Sequence, residues 1–284
     1  MGEGYARVSR LRPLPRQHPL SREQTVGITR LRRPASRCGR RNGLDRDSSG
    51  LSTITTVTFY RRTPPHGRPT GYAVIDLETT GLSPARDAVL EIGLVLADPD
   101  GRLERGWSTL VHPAPGRAVE VGPTRIHGLV AADLDGAPSL AQVSDLLVSE
   151  LAGRAVVAHN ARFDIGFLTA ALSRTGHLVG RARVPRVCTM EWARHFVPVH
   201  SRRLTSCCEA AGVVIGRHHS ALDDAEAAAG LLAHYLRVGA GRGETVPWSR
   251  TLEEAAAFDG WSWDPQAALA QRSRLVPRAR APRG

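Results

Sequence analysis

The stretch Tyr72-Ala73-Val74-Ile75-Asp76-Leu77-Glu78-Thr79-Thr80-Gly81 places two carboxylates at the end of an apolar run. Bounded by Gly71 and Gly81, the run predicts a buried strand over residues 72–77. Strand side chains alternate faces at about 3.3 Å per residue, so Asp76 and Glu78 share a face roughly 7 Å apart. At an effective dielectric of about 20 they repel by roughly 2 kcal/mol, and burial adds a desolvation cost. A divalent cation reverses that sign, since Mg²⁺ takes carboxylate oxygens at about 2.1 Å. The pair alone does not decide, because the pattern recurs as Asp224-Ala225-Glu226 in a helical setting.

Outward from this stretch, short apolar strands alternate with amphipathic helices from residue 71 to about 237, which predicts an α/β domain. Strands are expected at 89–97 and 103–111, joined by the turn Asp98-Pro99-Asp100-Gly101, a length that makes them antiparallel. Leu140, Val143, Leu146, Leu147 and Leu151 predict a helix over 139–151 with one buried face. A short buried strand follows at 155–158, then a helix beginning at Asn160 and carrying Phe163, Phe167, Leu168 and Leu172. Further helices are expected at 189–196, at 204–211 with Gly212 as its stop, and at 221–236. Gly239, Gly241 and Gly243 read as a flexible linker, so residues 238–284 form an expected C-terminal tail. Within it a short helix is expected at 252–258, and Trp261 and Trp263 are expected to pack back onto the domain.

The chain has 284 residues, 42% of them apolar, and a formal net charge of +11. That charge is unevenly spread: residues 1–70 hold 15 Arg against Glu3, Glu23, Asp45 and Asp47, while the remaining residues hold 23 Arg and 23 acids. The excess therefore belongs to an Arg-rich N-terminal arm, expected to be disordered apart from a β-prone stretch at 51–60. Such an arm serves either as an unstructured extension or as a nucleic-acid-binding tail. With no apolar run near 18 residues, a membrane-crossing chain is not expected, and with no apolar leader of 7 to 15 residues the expected location is cytoplasmic. Cys38, Cys188, Cys207 and Cys208 lack metal or disulfide spacing and read as buried thiols.

Two more segments combine acids with histidine. Asp164 follows His159-Asn160 at the start of a helix after a buried strand, where ligands commonly sit. In His218-His219-Ser220-Ala221-Leu222-Asp223-Asp224-Ala225 a loop histidine precedes a helix that opens with acids. Singly, each has an ordinary explanation as a dipole-favoured acid or a solvated histidine.

Together, three ordered segments resemble the DEDD superfamily of 3′→5′ exonucleases, histidine subtype, which includes the proofreading epsilon subunit of bacterial DNA polymerase III. Val74-Ile75-Asp76-Leu77-Glu78-Thr79-Thr80-Gly81-Leu82 is similar to its first motif. Ala158-His159-Asn160-Ala161-Arg162-Phe163-Asp164-Ile165-Gly166-Phe167-Leu168 is similar to the second, and His219-Ser220-Ala221-Leu222-Asp223-Asp224-Ala225 to the third. Lesser matches are Glu91-Ile92-Gly93 and Ile126-His127-Gly128-Leu129. The resemblance covers roughly residues 71–237, says nothing about either tail, and implies a ribonuclease H-like fold, a five-stranded mixed sheet flanked by helices; the composition of the N- and C-terminal extensions predicts that they are disordered.

The resemblance implies that Asp76, Glu78, Asp164 and Asp224 bind two divalent cations, Mg²⁺ or Mn²⁺, with Asp76 between them, and that His219 is the general base. It selects His219 and Asp224 over His218 and Asp223. Thr79, Gly81, Leu82, Ile126, His127, Asn160 and Phe163 are implied to hold the terminal nucleotides. The implied reaction is metal-dependent release of nucleoside monophosphates from the 3′ end of single-stranded or frayed DNA. Its expected setting is a DNA polymerase, a replication or repair complex, or a stand-alone enzyme. Alternatives are a 3′→5′ exoribonuclease and a catalytically silent nucleic-acid-binding module. One departure is Cys188-Thr189, where the family often has Asp-Thr.

Overall fold

The structure is a computed structural model and describes residues 69–180, 183–216 and 219–278. The Arg-rich arm with its β-prone stretch at 51–60, Cys38 and His218 lie outside the described residues. β1 (Tyr72–Thr79), β2 (Val89–Ala97), β3 (Leu103–Leu110), β4 (Ala155–Ala158) and β5 (Arg186–Cys188) form one five-stranded sheet in the order β3-β2-β1-β4-β5. β2 is antiparallel to β1 and β3, whereas β4 is parallel to both β1 and β5. The sheet is therefore mixed, with its parallel half running through the strand that carries Asp76 and Glu78.

The helices are α1 (Thr124–His127), α2 (Ser144–Leu151), α3 (Ala161–Arg174), α4 (Thr189–Phe196), α5 (Leu204–Ala211), α6 (Ala221–Gly241), α7 (Ser249–Ala257) and α8 (Pro265–Gln271). Alternation along β1 divides them. Ala73, Ile75 and Leu77 enter a core with Leu146 and Leu147 of α2, Phe167 and Leu168 of α3, and Ala268 of α8. Tyr72 and Val74 enter the opposite core with Phe196, Cys207, Leu231, Leu232 and Tyr235. By the same alternation Asp76 and Glu78 face the second side, where α6 begins.

β2, β4, α4 and α5 have the expected bounds, and β1 runs two residues further than expected, so both carboxylates lie inside the strand. The expected helix at 139–151 is broken: a 3₁₀ turn at Leu140–Gln142 is capped by Gln142 Oε1 accepting from Ser139 N, and α2 starts only at Ser144. β5 and α1 were not expected; at three and four residues they are too short to leave a periodic pattern.

Residues 238–278 are not the expected linker and tail. α6 continues through Gly239 to Gly241, because Gly239 is buried where the chain returns along Glu244 and Val246. Beyond it Trp248 packs into the α6-side core and donates from Nε1 to Tyr72 Oη at 3.1 Å. Trp261 and Trp263 pack into the opposite core, as expected of them. Asp145 of α2 anchors the segment by accepting from Asp264 N at 2.7 Å and from Gln271 Nε2 at 2.9 Å. Glu150 adds ion pairs to Arg105 and Arg272. Deleting residues 242–284 removes three buried tryptophans, a loss of several kcal/mol, and is expected to lower the melting temperature by roughly 10 °C or more. An unchanged melting curve by circular dichroism would contradict this docking.

Candidate active site

The register of β1 against β2 sets Asp76 opposite Gly93 and Glu78 opposite Glu91. Past Glu78 the register slips by one residue, and Leu90 turns into a separate cluster with Leu110, Leu129 and Leu134. Glu91 is fully buried, a third carboxylate beside the pair. Gly93 admits α6: a Cβ there would lie 2.1 Å from the carbonyl oxygen of Ala221. This close approach brings the first turn of α6 against the strand and lets Glu91 Oε2 accept from Ala221 N at 3.5 Å.

Asp224, in that first turn, is buried and its Oδ2 accepts from His219 N at 3.0 Å. Asp223 instead turns its carboxylate toward Gly216. Glu78, His219 and Asp224 each offer one ligand atom, and these atoms lie within 4.8 Å of one another. Asp164 arrives from the other face of the sheet. Parallel pairing with Tyr72–Val74 ends β4 alongside the middle of β1, just before Asp76, and Asn160, in a left-handed conformation (φ 72°), turns the chain directly into α3. The carboxyl of Asp164 then lies near its own backbone amide and that of Leu77, which favour its ionised form against the effect of burial. The five residues of the three motifs thus converge on one strand end, with Glu91 as an added acid.

Cys188, which precedes α4 where the family often has an acid, reaches the start of α3. Its buried Sγ accepts from Ala161 N at 3.3 Å, satisfying an N-terminal amide of the helix. His159 is also structural: Nδ1 meets Thr189 Oγ1 and Nε2 meets the carbonyl of Arg202, each at 2.9 Å.

The residues implied to hold nucleotides divide into two groups. Leu82 is 84% exposed and Ile126 55%, unusual for large apolar side chains, and Asn160 is exposed. Phe163 is half-buried, its ring 5.0 Å from that of Phe167. The others face inward. Thr79 Oγ1 donates to the carbonyl of Gly81 at 2.6 Å, and Gly81 lies against the Asp87 carboxylate that folds the 80–88 loop. His127 is only 2% exposed; its Nδ1 accepts from Leu129 N and its Nε2 donates to the carbonyl of Val121, both at 3.0 Å. Burial, with the nearby Arg278 and His219, pushes its pKa down, so the ring is neutral and shapes the turn that presents Ile126.

Residues 73–232, more than half of the chain, match the sequence profile of the RNase T exonuclease family. The chain belongs to this exonuclease family. Its exonuclease domain is similar to the PolC-type DNA polymerase III of Thermotoga petrophila, 31% identical over 167 residues, covering 59% of this chain and 12% of the polymerase. It is equally similar to that of Bacillus subtilis, 31% identical over 173 residues, covering 61% of this chain and 12% of the polymerase. The chain therefore spans only a small part of the length of these relatives. Among solved structures, Escherichia coli exonuclease I with a dT13 oligonucleotide aligns with a TM-score of 0.50 at 17% identity, over 57% of this chain and 40% of that one. A zinc-bound complex of the same protein with single-stranded DNA aligns with a TM-score of 0.51 at 17% identity, over 64% of this chain and 42% of that one. That likeness shows the fold, which is ribonuclease H-like.

In this exonuclease domain burial and the neighbouring acids raise the pKa of Asp76, Glu78 and Asp164. Burial and then Asp164, Asp224, Glu78 and Glu91 hold Asp76 well above the ordinary carboxyl range. Glu78 is pushed up to about 8 by burial, then by Glu91 and Asp224, against the opposing pull of Arg278. Burial likewise raises Asp164 to about 8, partly offset by its two backbone hydrogen bonds. Protons held in the folded state but released by the unfolded chain make stability fall as pH rises between about 4 and about 8. Glu78 and Asp164 are each buried enough for the loss to reach a few kcal/mol across that window. Chelator-treated protein is therefore expected to melt at lower temperature at pH 8 than at pH 5, with a shallower pH slope for Glu78→Gln. A wild-type slope of zero or of opposite sign, or an unchanged slope in the variant, would contradict this picture.

Proposed function

We propose that this chain is a divalent-cation-dependent 3′→5′ exonuclease that releases nucleoside 5′-monophosphates from single-stranded or frayed DNA ends. The observation that carries this reading is the convergence of Glu78, Asp224 and His219, whose ligand atoms lie within 4.8 Å, at the strand end that also holds Asp76 and Asp164. Buried oxygen donors that repel one another suit a hard divalent ion such as Mg²⁺ or Mn²⁺. Asp76, Glu78, Asp164 and Asp224 would hold two such ions, which when bound supply an activated water and a stabilised leaving oxygen.

His219 is assigned to the proton. An imidazole accepts a proton near neutral pH, and His219 sits beside the acids rather than deep in the core. As the attacking oxygen bonds to phosphorus and the P–O3′ bond breaks, the imidazole takes the water's proton, the leaving O3′ takes a proton from solvent to become a hydroxyl, and the imidazole later returns its own proton to solvent. Exposed Leu82 and Ile126 flank the site as apolar surfaces on which terminal bases stack or wedge, while Asn160 and Phe163 border the nucleotide from α3. The polymerase relatives support a frayed 3′ end beside a DNA polymerase as one setting, with a stand-alone trimming enzyme as the other.

The test compares single-stranded DNA and RNA of one sequence, labelled at the 5′ end or the 3′ end, with Mg²⁺ or Mn²⁺. DNA labelled at the 5′ end is expected to shorten progressively, and 3′-labelled DNA to lose its label at once as mononucleotide. Chelator should stop both. Asp76→Ala should lose more than the roughly 100-fold that removal of an outer-sphere partner costs, while its metal-free form melts no lower than wild type. Faster shortening of RNA would replace the substrate with RNA, and cation-independent or absent cleavage would overturn the reading.

A further inference from the structure

The described C-terminal segment ends in a side chain that reaches the candidate active site. Leu110 N donates to the carbonyl of Val276 at 2.8 Å, and Val276 N donates to Thr109 Oγ1 at 3.0 Å, which fixes the segment against β3 two residues before Arg278. The Arg278 side chain is 14% exposed and serves three partners. Nη1 donates to the carbonyl of His219 at 3.0 Å and to Glu91 Oε2 at 3.4 Å, and Nη2 donates to the carbonyl of His127 at 2.5 Å. It passes closely over Gly128, where an added Cβ would lie 3.1 Å from Nη2. One guanidinium therefore joins β2, the turn that presents Ile126, and the loop that carries His219. A planar fork of five donors suits this task, and a single ammonium does not.

His219 needs such support. Its backbone is left-handed, φ 64°, a conformation that side chains other than glycine adopt only when their surroundings fix them. Its N–H is held by Asp224 Oδ2 and its carbonyl by Arg278 Nη1, so the residue is pinned on both sides of its Cα. Arg278 also supplies positive charge beside the fully buried Glu91, which stands opposite Glu78 and whose Oε1 has no hydrogen-bond partner. Arg278 lies beyond residues 73–232, which match the exonuclease family, so this support comes from the chain's own C-terminal segment.

We propose that Arg278 is a positioning residue that sets the backbone of His219, and with it the imidazole, for proton transfer in the exonuclease reaction, an inference that rests on the function proposed above. The docked C-terminal segment thereby becomes part of the catalytic apparatus without touching substrate.

The experiment uses the full chain carrying Arg278→Ala, Arg278→Lys, or the pair Glu91→Gln with Arg278→Ala. The double variant removes the charge of Glu91 together with its partner and so guards against loss of folding. Folding is checked by thermal melting, and kcat and KM are measured on 5′-labelled single-stranded DNA. The imidazole resonances of His219 are followed at fixed pH in histidine-labelled protein, assigned with His219→Gln. The expected result for the folded variants that carry Arg278→Ala is a drop in kcat of roughly 10- to 100-fold with little change in KM, and displaced His219 resonances. Arg278→Lys is expected to fall between them and wild type. Wild-type kcat in a folded variant, including one that only melts lower or only raises KM, overturns the proposal. If the wild type cleaves neither DNA nor RNA, the proposed function fails, and the resonances alone then decide: unmoved, they overturn the placement of His219 by Arg278, and moved, they support it.

Discussion

Mutual repulsion among buried carboxylates is the constraint around which this fold is arranged. Asp76 and Glu78 occupy strand positions whose parity would otherwise continue the apolar series Tyr72 and Val74 into the core under α6. Glu91, Asp164 and Asp224 add to them from three further elements, and with burial this crowding makes ionisation of Asp76, Glu78 and Asp164 costlier. No arrangement selected for stability alone would gather them, since burial of like charges in a low-dielectric site opposes folding.

The rest of the structure serves to hold that gathering together. Parallel pairing of β4 with the first half of β1 brings the start of α3, and so Asp164, beside the stretch of β1 that carries Asp76. Gly93 removes the side chain that would keep α6 away, which seats Asp224 and the His219 loop against the strand. The apolar layers on both faces supply the stability against which the repulsion is set, and the C-terminal segment contributes to both layers through Trp248, Trp261 and Trp263. Acids at this density favour metal or catalytic chemistry as their explanation.

Much of this was legible in the sequence because the signals were local. Charges inside an apolar run marked Asp76 and Glu78, and helical spacing marked α4, α5 and most of α6. The same anomaly, a lone acid in Val89-Leu90-Glu91-Ile92-Gly93, marks Glu91 equally well, although its motif match is a lesser one. What escaped was decided by tertiary packing. Gly239 and Gly241 carry poor helix propensity, yet contacts with the returning chain extend α6 through them. Cys188 as a helix cap and His127 as an inward-facing ring depend on partners distant in sequence or on a turn with no periodic signature. Arg278 stands in Val276-Pro277-Arg278-Ala279-Arg280, a stretch with no motif or periodic signal, and only the docked segment gives it partners.

The central claim, that these acids form a cation site, is tested most directly by calorimetric titration of Mn²⁺ into chelator-stripped protein at pH 7 in buffers of different ionisation enthalpy. Carboxyls held up to about 8 must give up protons when an ion takes their place. The account predicts saturable binding with net proton release, both abolished or strongly weakened in Asp76→Ala. Absence of binding, or binding whose heat does not depend on the buffer, would contradict it.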